Sequence, residues 1–286
     1  MKPEDYLLGC DVIGAFGAFD GDEVVVDEAA DVESTDEDAI RRIIGDNPTD
    51  LKISVMADAD RTDYHTDILP KKDSVIDLIR VATYIHQLPA ALDMVKDAHD
   101  KGYETSLNLM SVSVIKDKDL GEAIEVFAKR PVDVVVIVDS FGALYSEQVR
   151  ELTQKYLKAV KGTGKQVGIH MHNNQQLAYA NTIEGLILGA NRVDATIYGL
   201  GRGAGNCPLE LLLGFLRNPR FNLRPVLQCI QDVMLPLRAK MEWGFTIPYM
   251  ITGQLNLHPR EAIKVRESDQ PDEYVEFLNK MEDGAT

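Results

Sequence analysis

Long apolar runs are missing from this sequence. No stretch reaches the roughly 18 apolar residues that a bilayer-spanning helix needs, so no membrane span is expected. Cysteine is scarce: Cys10, Cys207 and Cys229 are scattered and odd in number. That excludes a disulfide framework and fits a reducing compartment. Basic residues are outnumbered, 30 Lys+Arg against 46 Asp+Glu, and a net charge of −16 argues against nucleic-acid binding. The start shows no basic segment followed by an apolar one, so no secretory signal is expected and the cytoplasm is the expected location. Repeats and low-complexity segments are also lacking.

What is present suits one large domain. The chain has 286 residues and 45% hydrophobic content, ordinary for a single α/β barrel. The charge is uneven. Residues 1–40 carry 13 acidic residues and one lysine, and the remainder 33 acidic and 29 basic. Residues 1–45 are therefore expected to be an atypical acidic segment, 46–220 the barrel, and 221–286 a helical C-terminal region. The first segment is expected to supply no regular strand and helix.

From residue 50 onward strands and helices alternate, the pattern of a parallel sheet with crossover helices. Six strands are expected there, over 52–57, 78–82, 104–110, 133–139, 166–170 and 192–197. Helices are expected over 89–101, 120–128, 147–161, 178–188 and 209–216, several stopped by a glycine. Before residue 50, runs 11–16 and 23–27 compete for strand status, and 36–44 reads as an acidic-started helix. Seven strands result if one run counts, eight if both do. Beyond 220 the pattern is helical over 226–243, 249–257 and 272–281.

The stretch His170-Met171-His172-Asn173 ends the apolar run Gln166-Val167-Gly168-Ile169. Residues i and i+2 of a strand share a face, so two imidazoles leave one strand end side by side, an arrangement suited to a divalent metal. The next strand, from Arg192, runs into a Gly-rich loop, Gly199 to Glu210. That loop departs from both phosphate-binding glycine patterns. Adjacent strand ends carrying an imidazole pair and a Gly-rich loop are the parts of a barrel active site. Cys207 reads as a small packing residue, and His86, His99 and His258 as surface or core residues.

With Ala180-Asn181, Arg192-Val193-Asp194-Ala195 and Gly203-Ala204-Gly205-Asn206-Cys207-Pro208-Leu209-Glu210, these motifs resemble the HMGL-like (DRE-TIM) metallolyase superfamily. That superfamily includes 4-hydroxy-2-oxovalerate aldolase, HMG-CoA lyase, and the isopropylmalate and homocitrate synthases. The loop wording is closest to the aldolases. Further similarity runs through Ile79 to Thr83, Val138 to Gly142 and Tyr249 to Arg260, and the whole covers roughly residues 50–265. The resemblance implies an α/β TIM (β/α)8-type barrel with a C-terminal helical extension. It implies a Mn²⁺ or Mg²⁺ ion held by His170 and His172, with Asn206 as a further ligand or a supporting amide. It implies Tyr249 as a substrate-positioning residue, Asp139 as a catalytic group orienting ligands or water, and Asn108, Asn174 and Gly203 as substrate-binding. Arg80 points either into the barrel mouth, with the catalytic set, or into a salt bridge. A strand-end Asp such as Asp139 also commonly caps the following helix.

The implied reaction is cleavage or formation of a C–C bond next to a 2-oxo acid, as from a 4-hydroxy-2-oxo acid to pyruvate and an aldehyde. The alternatives are a Claisen-type acyltransferase of the isopropylmalate-synthase kind, and a degenerate barrel acting as a binding protein. The expected partner is a small-molecule 2-oxo acid, with neither nucleic acid nor membrane, and a homodimer is an open alternative. One departure stands out. The superfamily carries an Asp and a short Arg-acid-Gly motif on its first strand, with a His after it in the aldolases. Here no arginine precedes Arg41 and no histidine precedes His65. The barrel is therefore expected to be incomplete or irregular at its N-terminal strand, with Asp11, Asp20 and Asp22 as candidate replacement ligands.

Overall fold

The computed structural model describes residues 11–14, 19–20, 23–24, 37–45, 52–219 and 221–285. Its centre is a curled seven-stranded sheet with every pairing parallel. The strands are β1 (Asp11–Gly14), β4 (Ser54–Asp58), β5 (Leu78–Thr83), β6 (Glu104–Leu109), β7 (Val134–Asp139), β8 (Gln166–Met171) and β9 (Arg192–Ala195). Their spatial order is β1-β9-β8-β7-β6-β5-β4, so β1 and β4 are the two edges. A separate antiparallel pair joins β2 (Phe19–Asp20) to β3 (Glu23–Val24). Among the described residues no pairing closes β1 onto β4, and the barrel is open there.

Alternation along the strands creates two interiors. Ile79, Val81, Leu107, Leu109, Val135, Ile137, Ile169 and Val193 face outward into one large apolar layer. The helices α2 (Leu88–Asp100), α3 (Asp117–Ala128), α4 (Ser146–Val160) and α5 (Ala178–Leu188) fill that layer with residues such as Met94, Phe127, Tyr156 and Leu186. Val134, Val136 and Val138 point the other way and form a separate inner cluster. Strands covered on both faces read as continuous apolar runs, which is why β7 was the plainest in the sequence. Truncating a side chain buried as fully as Ile137 to alanine costs about 2–5 kcal/mol.

The positions that interrupt the apolar runs are the inward ones. At the N-terminal end of the sheet, Arg192 Nε donates to Gln166 Oε1 at 2.5 Å, Arg192 also pairs with Glu104, and Lys52 reaches Glu104 at 2.8 Å. Arg80, Ser106, Asn108, His170 and Asp194 occupy inward positions nearer the other end.

Two expectations are corrected. The segment before residue 45 does contribute regular structure. β1 pairs with β9, and α1 (Glu37–Ile44) docks through Glu37, which accepts from Ser74 Oγ at 2.6 Å and from the Val75 N–H at 2.9 Å. Among the described residues of the competing runs, 11–14 enters the main sheet and 23–24 joins the separate pair. The single helix expected over 226–243 is broken into α7 (Leu223–Cys229), a π-helical turn Ile230–Met234 and α8 (Leu235–Arg238). Pro236, which lacks an N–H and cannot continue the ladder, lies in the last piece. α6 (Leu209–Leu216) precedes them. α9 (Ile247–Gln254), α10 (Arg260–Arg266) and α11 (Tyr274–Ala285) share a second apolar cluster that includes Ala204 of the Gly-rich loop. Among the described residues no helix is long and apolar enough to cross a membrane.

Candidate active site at the C-terminal end of the sheet

The imidazoles of His170 and His172 converge as their i, i+2 spacing predicts. Their Nε2 atoms lie 3.4 Å apart, with ring planes at 68°. His170 Nδ1 is 2.8 Å from Asp194 Oδ2. The Asp194 carboxylate also takes the buried Arg80 guanidinium, so three strands contribute to one chain of contacts: Arg80 from β5, Asp194 from β9, His170 from β8. Burial alone would raise the Asp194 carboxyl. Arg80 and His170 outweigh it and hold the group below the usual carboxylate range. The contact with Asp194 orients the His170 ring so that its Nε2 atom faces that of His172. Burial lowers His172 well below the usual histidine range, the His170 and Arg202 charges push the same way, and the carbonyls of Arg202 and Gly205 that hydrogen-bond its ring pull against them. Its Nε2 atom faces that of His170.

The Gly-rich loop folds back over this pair. His172 and Asn206 form an antiparallel bridge, the Asn173 N–H donates to the Gly205 carbonyl at 2.9 Å, and the Asn206 N–H donates to the Gly199 carbonyl at 3.1 Å. Gly205 has φ +83°, and a Cβ there would stand 2.0 Å from the Gly199 carbonyl oxygen. Only glycine permits this closure. Asn206 Nδ2 donates to the Leu200 carbonyl at 3.2 Å, while its buried Oδ1 has no hydrogen-bond partner among the described residues.

These features suit a divalent cation. Two ring nitrogens each about 2.1 Å from one ion, at about 90–110°, stand about 3.0–3.4 Å from each other. Two facing ring nitrogens and an unpartnered amide oxygen are donor types that a divalent cation takes, and His170, His172 and Asn206 are the residues that would hold it. Among the described residues no cluster of three or more His, Cys, Asp or Glu side chains comes together to hold an ion. Of the candidate replacement ligands, Asp11 pairs in register with Arg192, two residues below Asp194 and roughly 7 Å lower along the strand. Asp20 lies in the separate β2–β3 pair, and Asp22 lies outside the described residues.

The remaining predicted residues separate. Arg80 takes the salt-bridge alternative: it is 4% exposed and paired with Asp194. Asp139 takes the capping alternative. Its carboxylate accepts the N–H groups of Ala143 (3.0 Å) and Leu144 (3.1 Å), and burial pushes it up to about 6. Its contact with the pair is through its backbone: the His172 N–H lies 3.4 Å from the Asp139 carbonyl. Asn108 is buried inside the sheet and accepts from Ser106 Oγ at 2.8 Å. Asn174 is buried between the Gly142 turn and α9, with Nδ2 3.5 Å from the Tyr249 carbonyl. Gly203 lies against the Tyr249 ring. Tyr249 is 1% exposed, and its hydroxyl accepts from Arg266 at 2.6 Å. Burial pushes the Cys207 thiol up to about 12, consistent with packing. Asp194 is the residue that reading the sequence missed. Its signal was a second charge at i+2 from Arg192 in an otherwise apolar strand.

A family model described as HMGL-like matches residues 24–233. The 4-hydroxy-2-oxovalerate aldolase of Geobacillus thermodenitrificans is 33% identical over 213 residues, 71% of this chain and 61% of that protein. The oxaloacetate decarboxylase of Mycobacterium tuberculosis is 33% identical over 143 residues, 50% of this chain and 41% of that protein. A solved structure, the N-terminal domain of a provisionally assigned aldolase from Bacteroides vulgatus, superposes with a TM-score of 0.64 at 30% identity, covering 77% of this chain and 74% of the other. The chain spans about half the length of the curated relatives it matches.

Proposed function

The chain belongs to the HMGL-like family, and on that premise we propose that it is a divalent-metal-dependent lyase of 2-oxo acids, cleaving a 4-hydroxy-2-oxo acid to pyruvate and an aldehyde. The observation that carries this reading is the pair of inward-turned Nε2 atoms 3.4 Å apart beside the orphaned Asn206 Oδ1. His170, His172 and Asn206 would hold the ion. When bound, a divalent cation such as Mn²⁺ or Mg²⁺ supplies Lewis acidity toward the carbonyl oxygen of the 2-oxo acid. Asp194 orients His170, and Arg80 keeps Asp194 anionic. The Gly199–Asn206 loop and α9, tied through Gly203 and Tyr249, cover the mouth.

A second reading is favoured by the relative named as an oxaloacetate decarboxylase. Releasing carbon dioxide instead of an aldehyde breaks the equivalent bond and requires no proton to be taken from a 4-hydroxyl. One assay separates the two. Pyruvate release is followed from 4-hydroxy-2-oxovalerate and from oxaloacetate with Mn²⁺, with and without chelator, for the full chain and for His172→Ala. Release that survives both chelator and the substitution rules out the metal-dependent reading.

A further inference from the structure

Resting on the 2-oxo acid reading, we propose that Arg202 binds the substrate carboxylate at the mouth of the sheet. The residue sits in the turn that closes over His172: the Gly205 N–H donates to its carbonyl at 3.2 Å, and Gly205 is in turn laced to Asn173. That turn is held firmly. Asn206 braces it from within through Leu200, and Gly203 is seated on the Tyr249 ring. The base of the Arg202 side chain is thereby fixed beside the imidazole pair.

Two other arginines of this end are committed. Arg80 is paired with Asp194, and Arg266 with Glu242 (2.5 Å) and the Tyr249 hydroxyl. Arg202 is half-buried, and among the described residues no carboxylate pairs with its guanidinium and no acceptor takes its protons. The Arg202 backbone also hydrogen-bonds the His172 ring, so the residue borders the imidazole pair directly. A guanidinium offers a planar fork that matches a carboxylate with two parallel hydrogen bonds, and partial burial strengthens the attraction. A 2-oxo acid bound beside His170 and His172 brings one anionic carboxylate into this region, and Arg80 has no charge to spare for it.

The test is equilibrium binding by calorimetry to the full chain, with pyruvate as probe in saturating Mn²⁺, and Mn²⁺ uptake followed separately by electron paramagnetic resonance. Arg202→Ala is expected to weaken pyruvate binding about 10- to 100-fold with Mn²⁺ affinity unchanged. Arg202→Lys, a point charge without the fork, is expected to recover part of the loss. Methyl pyruvate, which has no carboxylate, is expected to bind both variants and the parent alike. Undiminished pyruvate binding by Arg202→Ala overturns the proposal and leaves the lyase reading standing. Parallel loss of Mn²⁺ and pyruvate overturns it as well, since the residue would then only shape the loop. A parent chain that takes up Mn²⁺ and no pyruvate overturns the 2-oxo acid reading itself.

Discussion

At the N-terminal end of the sheet interior, Arg192 donates to Gln166 and Glu104, and Lys52 completes Glu104. At the C-terminal end, Asp194, two residues further along the same strand, accepts from Arg80 and His170. The two networks use the same chemistry on neighbouring strands. They differ in how they finish. The lower one ends on Lys52, exposed to solvent. The upper one runs on into two facing ring nitrogens, and Arg80 Nε and Asn206 Oδ1 lack partners among the described residues. A buried polar group without a partner costs about 1–3 kcal/mol. Unpartnered buried atoms also occur elsewhere among the described residues, as at Thr153 and Tyr156, so it is the place of these two beside the facing imidazoles that supports the proposed site. The lower network has the makings of architecture, and the upper one those of the proposed site.

The sharpest way to break this contrast is to delete one residue at each end. His172→Ala is expected to lower pyruvate release more than about 10³-fold, because the charge stabilisation of a bound cation is worth several kcal/mol. Gln166→Ala is expected to leave release and Mn²⁺ uptake unchanged, and equal losses from both substitutions would erase the distinction. Next in size is Asp194→Ala. It strands the Arg80 guanidinium at 4% exposure and is expected to cost about 3–5 kcal/mol in urea unfolding. The double variant with Arg80→Met should regain much of that, whereas simple additivity would show that the pair is not coupled. Mn²⁺ affinity should fall about 10- to 100-fold in Asp194→Asn, as for other partners of metal-ligating histidines. A smaller effect is expected from Glu104→Gln below: about 1–3 kcal/mol of stability with Mn²⁺ affinity untouched. A drop in Mn²⁺ affinity there would mean the two ends communicate.

The mildest probe is pH. Burial lowers His258 from 6.5 to about 4, with Arg202 and Arg260 adding to it. A depressed folded value contributes stability above the unfolded value that is lost as pH falls from 6.5 through about 4. Burial raises Asp139 from 3.8 to about 6, so its contribution runs the other way: present below the unfolded value and lost as pH rises through about 6. Acidification from neutrality should therefore destabilise His258→Gln less than the parent and Asp139→Asn more. Urea midpoints across that range decide it, and identical slopes for all three chains would refute both assignments.

Much of the architecture was legible in the sequence. The six strands after residue 50 are present, α5 begins and ends where the apolar pattern and Gly189 put it, and α6 where the apolar pattern does. The helix before residue 45 was read nearly to its ends, yet β1 was obscured by the acidic surroundings, and only pairing with β9 makes those four residues a strand. The His170/His172 pair was legible because period-two geometry is local. Asp194 was not legible as its partner, since the Arg80 that keeps it charged is 114 residues away in the chain. Asp139 and Tyr249 carried the right residue types for a site. Their polar atoms are taken by nearby groups instead, the N–H groups of the Ala143 turn and the Arg266 guanidinium.

By itself, the sequence determined the alternation of strand and helix, the two imidazoles on one strand face, and a glycine loop able to close against its own backbone at Gly205. Each follows from steric preferences and apolar periodicity acting over a few residues. The tertiary structure decided which charges meet. It paired Arg80 with Asp194, brought both Nε2 atoms to face one another, left Asn206 Oδ1 without a partner and Arg202 without a counter-ion among the described residues, and set β1 and β4 apart at the sheet edges. The physical reason is that ion pairs and desolvation depend on separations across the sheet, which chain spacing does not specify until the strands have taken their order and register.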